Sequence, residues 1–304
     1  MVTVVMTGGT SGIGLVAASA MAAAPGSRVI VGARRTGPPG TETLRLDLTR
    51  LDDVRSFAEN VRRTLDEVPI DALVLNAGVL CADADGRTPD GFETTFAVNH
   101  LAHFLLLRLL RRQLADGARV VLTTSGTHDP AVKVRIVRPR HADASLLAHP
   151  ERDPGRHRRA GDAGQHAYTA SKLCNIMTVR ALMARSASDG RDVVAIGYDP
   201  GPTPGTALFQ ATSPVLRPPW AMFGGRLGRL VPTMSTPAAA GAGLAQVVLG
   251  DAPPPGEYYG RMTARGLAWV QPSELARDDA LCDALWADSA ELVGAPRDDV
   301  APGG

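Results

Sequence analysis

This 304-residue chain is predicted to fold as a doubly wound α/β domain: a parallel sheet of about seven strands with helices on both faces. Three observations carry that reading. Short β-branched runs alternate with amphipathic or alanine-rich runs through the first 125 residues. The first such run passes through a glycine turn into a strong helix former. Later runs end in Asn76-Ala77-Gly78 and Pro200-Gly201, turn signals at the carboxyl ends of strands, where open parallel sheets bind their ligands.

The elements follow in order. Val2-Thr3-Val4-Val5-Met6 is an apolar strand, and residues 15–22 form an alanine-rich helix. Residues 28–32 and 43–46 read as the second and third strands, with an amphipathic helix over 51–66 before Pro69. Ile70-Asp71-Ala72-Leu73-Val74-Leu75 is a fourth strand, 91–115 a long helix and 120–124 a fifth strand. Repeated βα units imply right-handed crossovers. Residues 126–164 break the rhythm: between 133 and 159 there are eight Lys/Arg against three Asp/Glu and no periodicity. Such a long segment inside a compact domain is read as a functional or a disordered insertion. Helix returns over 166–187 and a sixth strand over 193–198. The Pro/Gly-rich stretch 202–235, with apolar anchors such as Leu208, Phe209, Trp220 and Phe223, reads as a substrate lid. A helix over 236–249, a last strand at Glu257-Tyr258-Tyr259 and a terminal helix over 273–293 complete one domain, without internal repeats.

Bulk properties narrow the function. A formal net charge of +1 carries no general attraction to nucleic acid. No apolar run reaches the length of a membrane span. Three cysteines without a Cys-x-x-Cys pair fit a reducing compartment, and the strand that starts at residue 2 leaves no room for a leader, so a cytoplasmic protein is expected. His100 and His103 read as core or surface helix residues. The remaining histidines lack a ligand set, so no metal is expected.

Two motifs carry chemistry. In Thr7-Gly8-Gly9-Thr10-Ser11-Gly12-Ile13-Gly14, Gly8 permits a tight turn, Gly12 admits a pyrophosphate to the backbone, and Gly14 lets the helix pack on the sheet. The helix N-terminus then offers free N–H groups and partial positive charge to phosphate. Downstream, Tyr168 and Lys172 lie four residues apart, on one helix face. A free phenol ionises near pH ~10; a neighbouring cation favours its phenolate, which would make Tyr168 a general acid or base. The blander alternatives are a glycine loop without a ligand and a surface Tyr/Lys pair.

In order, the glycine loop, Asp47, Asn76-Ala77-Gly78, Asn99, Ser125, Tyr168-x-x-x-Lys172 and Pro200-Gly201 resemble the short-chain dehydrogenase/reductases over nearly the whole chain. The resemblance implies a Rossmann-type domain and a catalytic set of Asn99, Ser125, Tyr168 and Lys172. Ser125 would polarise the substrate oxygen, and Asn99 would kink its helix, hold a water against Lys172 and complete a proton path. It further implies cofactor contacts from Gly8, Thr10, Ser11, Gly12, Ile13 and Gly14, from Asp47 and Leu48 at the adenine, and from Asn76, Ala77 and Gly78. Tyr168, Lys172, Pro200, Gly201 and Thr206 would complete the cofactor site. Within the family, residues 96–106 and Ser171-Lys172-Leu173-Cys174-Asn175 look like both protochlorophyllide reductases and retinol-dehydrogenase-like members, and Thr206-Ala207-Leu208-Phe209 looks like the protochlorophyllide reductases. One departure stands out: those pigment reductases carry Pro-Gly-Cys where this chain has Pro200-Gly201-Pro202.

The second strand ends in Gly32-Ala33-Arg34-Arg35, with no acid. Arg34 and Arg35 suit a 2′-phosphate, so NADP(H) is the expected cofactor; the alternative leaves Arg34 stacked on adenine and Arg35 solvated. The expected reaction is reduction of a carbonyl, or oxidation of the alcohol, on a bulky and largely apolar small molecule. Two alternatives stay open: reduction of an activated carbon–carbon double bond, and a silent NADP(H)-binding protein. Arg135, Arg138, Arg140, Arg156, Arg158 and Arg159 could draw an anionic or carrier-bound substrate, although a merely solvated loop explains them as well. An oligomer is compatible with the sequence.

Overall fold

The computed structural model describes residues 1–132, 134–188, 192–203 and 235–295. One sheet of eight strands runs in the order β3-β2-β1-β4-β5-β6-β7-β8. The strands are β1 (Val2–Thr7), β2 (Ser27–Ala33), β3 (Glu42–Arg45), β4 (Ile70–Leu75), β5 (Leu114–Thr123), β6 (Val194–Asp199), β7 (Tyr259–Thr263) and β8 (Gly266–Trp269). All pair in parallel except β8, which turns back antiparallel on β7. The helices are α1 (Gly12–Ala23), α2 (Leu51–Leu65), α3 (Thr94–Phe96), α4 (Ala102–Leu110), α5 (Ala144–Ala148), α6 (Ala160–Ser188), α7 (Pro237–Leu249) and α8 (Asp279–Leu292).

Alternation along each strand builds two cores, because successive side chains leave a strand on opposite faces. Val4, Met6, Val29, Val31, Val74 and Ile196 pack with Met21 of α1 and with Leu244 and Val248 of α7. Val5, Ile30, Leu73, Leu75, Val120 and Leu122 face the other way, onto Phe57 of α2, Leu105 of α4, Ile176 of α6 and Trp286 of α8. Each of the larger buried side chains stabilises the fold by roughly 1.5–3 kcal/mol.

Several expectations need correcting. The sheet has eight strands, not about seven: Gly266-Leu267-Ala268-Trp269 forms an unforeseen antiparallel edge after the turn at Gly266, where φ is +107°. The last predicted strand begins at Tyr259 instead of Glu257. The helix expected over 91–115 starts at Thr94, and α3 and α4 are separated by a π turn over Ala97–Leu101, in which the Ala102 N–H reaches back to the Ala97 carbonyl. It gives way at Leu114 to β5, which pairs with Ile70 across an irregular register. The basic insertion is not featureless: it contains α5 and a 3-10 turn, and α6 begins at Ala160. The terminal helix begins at Asp279, after a 3-10 turn over Leu275–Arg277. The predicted lid, 202–235, falls almost wholly outside the described residues, as do Thr206 and Lys133.

Among the described residues, no helix is long and apolar enough to cross a membrane.

Candidate active site

Four neighbouring strands, β1, β4, β5 and β6, deliver the candidate residues to one edge of the sheet. The chain leaves β1 toward β2 and β3, then returns on the other side of β1 as β4. That reversal opens a crevice at the strand ends.

The glycine turn follows β1 with Gly8 at φ +70° and Gly12 at φ +52°. A Cβ on Gly14 would strike the Gly8 carbonyl, so only glycine lets α1 start this close to the turn. Ser11 is the extended N-cap of α1, and its side chain makes no capping bond. The first-turn N–H groups are therefore left for another acceptor, which fits a pyrophosphate. Thr10 and Ser11 are exposed beside them, with Ile13 half-buried. Across the crevice, Asn76 Nδ2 donates to the Gly8 carbonyl at 3.2 Å, and Thr123 Oγ1 donates to Asn76 Oδ1 at 3.1 Å. The Asn76 and Ala77 N–H groups both donate to Thr7 Oγ1, at 3.0 and 3.2 Å. Gly78 lies against the next layer: a Cβ there would sit 3.4 Å from both Asn99 Oδ1 and Lys172 Nζ.

Arg34 and Arg35 stand exposed just past the end of β2. Burial pushes the Asp47 carboxyl up, but the hydrogen bonds of Thr49 and the charges of Arg34 and Arg45 together hold it below its ordinary value. Asp47 Oδ1 accepts from Thr49 N at 3.0 Å and Thr49 Oγ1 at 2.8 Å, so part of its capacity shapes the approach to α2. Leu48 packs against the core beside it.

Tyr168 and Lys172 are buried on α6, with Lys172 Nζ 5.7 Å from the Tyr168 ring centroid. Burial pushes the Tyr168 phenol well above its ordinary range; a side-chain hydrogen bond with Ser125 opposes the rise and the Asp199 charge adds to it. Burial also pulls the Lys172 ammonium down to about 8, against the attraction of Asp199. The expected phenolate is thus outweighed by desolvation in the protein alone, and Tyr168 is held as a neutral proton donor. Lys172 Nζ donates to the Thr123 carbonyl at 3.0 Å, while Thr124 Oγ1 donates to the Lys172 carbonyl at 2.7 Å.

Asn99 lies within the π turn. Its Nδ2 donates to the Val79 carbonyl at 2.9 Å and to Ser171 Oγ at 3.0 Å, and its Oδ1 accepts from Val79 N at 2.8 Å. Its carbonyl accepts from His103 Nδ1 at 3.1 Å. Since Thr7 Oγ1 already accepts two N–H groups, its own proton points to His103 Nε2, 2.9 Å away. His103 is therefore neutral and carries its proton on Nδ1, and burial holds its pKa down to about 3. Pro200 and Gly201 follow β6, with Gly201 at φ +69°.

Asn99, Ser125, Tyr168 and Lys172 come together with the β4 turn; the site residues missed in the sequence are Thr7, His103, Thr123 and Asp199. A polar residue at the end of an apolar strand was the available signal for Thr7, Thr123 and Asp199. The insertion folds against the start of α6. Glu93, Arg140, His157, His166 and Ala167 line an open cleft of about 320 Å³ there, and Ala167 adjoins Tyr168. Several insertion arginines are engaged internally: Arg138 donates to the Thr127 and Asp129 carbonyls, Arg140 pairs with Asp153, and Arg156 pairs with Asp85. Arg158 and Arg159 are exposed. Burial pushes the Cys174 thiol up, as suits a packing residue. No metal-holding group of His, Cys, Asp and Glu occurs among the described residues.

A family model described as short chain dehydrogenase matches residues 2–136. Over 96% of its length the chain is 31% identical to the chloroplastic protochlorophyllide reductase A of Arabidopsis thaliana, covering 76% of that protein. It is 39% identical over 66% of its length to DnrU of Streptomyces sp. (strain C5), whose name gives it provisionally as a daunorubicin C-13 ketoreductase; 65% of that protein is covered. An uncharacterized protein from Mycobacterium Paratuberculosis superposes with a TM-score of 0.69 at 28% identity, covering 97% of this chain and 94% of that one. The angucycline C-6 ketoreductase LanV with bound NADP shares the fold at 23% identity, with a TM-score of 0.56 over 81% of this chain and 88% of its own. The chain belongs to the short-chain dehydrogenase family and is an oxidoreductase related to the protochlorophyllide reductases.

Proposed function

We propose that the protein reduces a ketone on a bulky, largely apolar small molecule with NADPH. The observation that carries this reading is the buried phenol of Tyr168, kept neutral by desolvation and one helical turn from Lys172, whose Nζ lies 5.7 Å from its ring centroid. When bound, the cofactor supplies the hydride. Ser125 holds the substrate oxygen. Tyr168 gives that oxygen its proton, and the Lys172 charge stabilises the phenolate left behind. The uncapped start of α1 receives the pyrophosphate, and Arg34 with Arg35 receives a 2′-phosphate. The names of DnrU and LanV support a polycyclic ketone as the substrate class and, for LanV, NADP as the cofactor.

A second reading, reduction of an activated carbon–carbon double bond, is favoured by the long match to protochlorophyllide reductase. It is weakened by Pro202, which stands where the pigment reductases have a cysteine. The test is NADPH consumption against matched panels of polycyclic ketones and cyclic enones, with product analysis. Turnover confined to ketones supports the first reading. Saturation of the double bond with the carbonyl intact overturns it in favour of the second.

A further inference from the structure

Beside the candidate residues lies a second buried charged group that the proposed reaction does not use. Arg261 Nε of β7 donates to Asp199 Oδ2 of β6 at 2.8 Å, and the two side chains are 24% and 4% exposed. Tyr259 completes a triangle: its hydroxyl donates to Asp199 Oδ2 at 3.1 Å and accepts from Arg261 Nη2 at 3.0 Å. A buried ion pair is a poor source of stability, because desolvation consumes most of the attraction. Its position asks for another explanation.

The triangle touches both loops that carry the chemistry. On one side, Asp199 Oδ1 accepts the Gly201 N–H at 2.9 Å, fixing the Pro200-Gly201 turn. On the other, Gly126, next to Ser125, lies so close that a Cβ there would be 2.9 Å from Asp199 Oδ2 and 3.0 Å from Arg261 Nη2. The His128 ring, edge-on to Tyr259 at 5.4 Å between centroids, donates from Nδ1 to the Ser125 carbonyl at 2.6 Å. We propose that Asp199 and Arg261 are positioning residues: a charge-balanced clamp that holds the Ser125 loop against the Pro200-Gly201 turn and keeps net charge away from Tyr168 and Lys172.

The charged and titratable groups facing Asp199 are Arg261 and Tyr259 from β7, His128 from the turn after β5, Tyr168 and Lys172 from α6, and Tyr198 beside it on β6. His103 from α4 faces Lys172. Asp199 by itself pushes the Tyr168 phenol up and favours the Lys172 ammonium, opposing a phenolate. Arg261 opposes Asp199 at His128, and the clamp is proposed to extend that balance to Tyr168 and Lys172. Burial holds His128 below its ordinary value, and it serves as a neutral donor.

The inference rests on Tyr168 and Lys172 as the proton-handling pair, and its test needs no turnover. The chain has only two lysines, Lys133 and Lys172, so lysine carrying ¹³C at Cε gives two side-chain resonances, the Lys172 one being that lost in Lys172→Arg. Its titration midpoint is followed in the whole protein. Asp199→Asn, which keeps an acceptor for Gly201, is expected to lower the midpoint by about half a pH unit or more, and Arg261→Met to raise it by as much. The double variant is expected to return near the parent. Once a carbonyl substrate is in hand, Asp199→Ala is expected to reduce kcat about tenfold beyond Asp199→Asn and to raise KM for NADPH as well, because it also frees the Pro200-Gly201 turn. An unmoved midpoint in Asp199→Asn, or single variants that move it the same way, overturns the proposal. Should Arg261→Met fail to fold, Arg261→Gln replaces it, and the Asp199→Asn result decides by itself. Failure of every carbonyl panel overturns the proposed reaction while leaving the lysine titration to judge the clamp.

Discussion

The two halves of the strand-end crevice are built differently. On the side of β1 and β4, backbone does the work: the Gly8 turn and the uncapped first turn of α1 present fixed dipoles, and the Asn76 and Ala77 N–H groups are tied down on Thr7 Oγ1, with no buried ion pair among them. On the side of β5, β6 and β7, side chains do it: Ser125, Tyr168 and Lys172 sit beside an Asp199–Arg261 pair that is itself nearly buried. A pyrophosphate is the same in every family member and can be met by backbone. A substrate differs, and side chains can change without disturbing the sheet. The lesson is that the invariant ligand is held by geometry, and the variable reaction by charges whose balance must be maintained.

Four experiments bear on that contrast. The largest effect is expected at Tyr168. Tyr168→Phe should lower kcat for ketone reduction by roughly 10²–10⁴-fold, the usual worth of a general acid, while NADPH titration by fluorescence gives an unchanged Kd. Near-full activity would move the proton source elsewhere and strengthen the double-bond reading.

Next comes Arg34→Asp, on the backbone-built side. Loss of a charge-assisted contact of roughly 1.5–3 kcal/mol should weaken NADPH at least about tenfold and spare NADH. Parallel titrations of both cofactors decide it, and equal affinities in the parent protein would refute the assignment of Arg34.

The third experiment concerns the join between the halves, where His103 ties Thr7 to Asn99. Burial depresses its folded-state pKa to about 3, below the 6.5 of an unfolded histidine. The stability it contributes is therefore fully present above pH 6.5 and is lost as the pH falls toward 3. Between pH 6.5 and 5 that loss is about 2 kcal/mol. His103→Gln should flatten this part of the stability profile in urea unfolding; an identical slope would mean that the ring is not held neutral.

The smallest effect is expected from the insertion. Arg158 and Arg159 are exposed, whereas Arg140 and Arg156 are engaged by Asp153 and Asp85. Replacing Arg158 and Arg159 with Gln should raise KM for an anionic substrate no more than about twofold at low salt, and not at all at high salt, where exposed charges are screened. A KM change that persists at high salt would point to direct contact.

Legibility in the sequence followed the same divide. The strand Ile70–Leu75 was readable to the residue because five of its six residues are apolar and Pro69 and Asn76-Ala77-Gly78 bound it. The glycine loop and the Tyr168/Lys172 spacing were readable because each lies within one local segment. The edge strand Gly266–Trp269 was not, since four residues carry too little pattern and its partner is supplied only by folding. The resemblance marked Asn99 as a helix-kinking position, but the π form of the turn at Ala97–Leu101 was hidden because Val79, Ser171 and Thr7 are brought against Asn99 and His103 only by folding.

By itself, then, the amino-acid sequence determined the alternation of strands and helices, the glycine turn and which residues could exchange a proton, all of which depend on local spacing. Only the tertiary structure decided how those residues are charged. Desolvation of Tyr168, the tautomer of His103 and the pairing of Asp199 with Arg261 depend on groups distant in the chain, 96 residues apart for Thr7 and His103 and 62 for Asp199 and Arg261. Burial and long-range partners set a protonation state, and neither has a signature in local sequence.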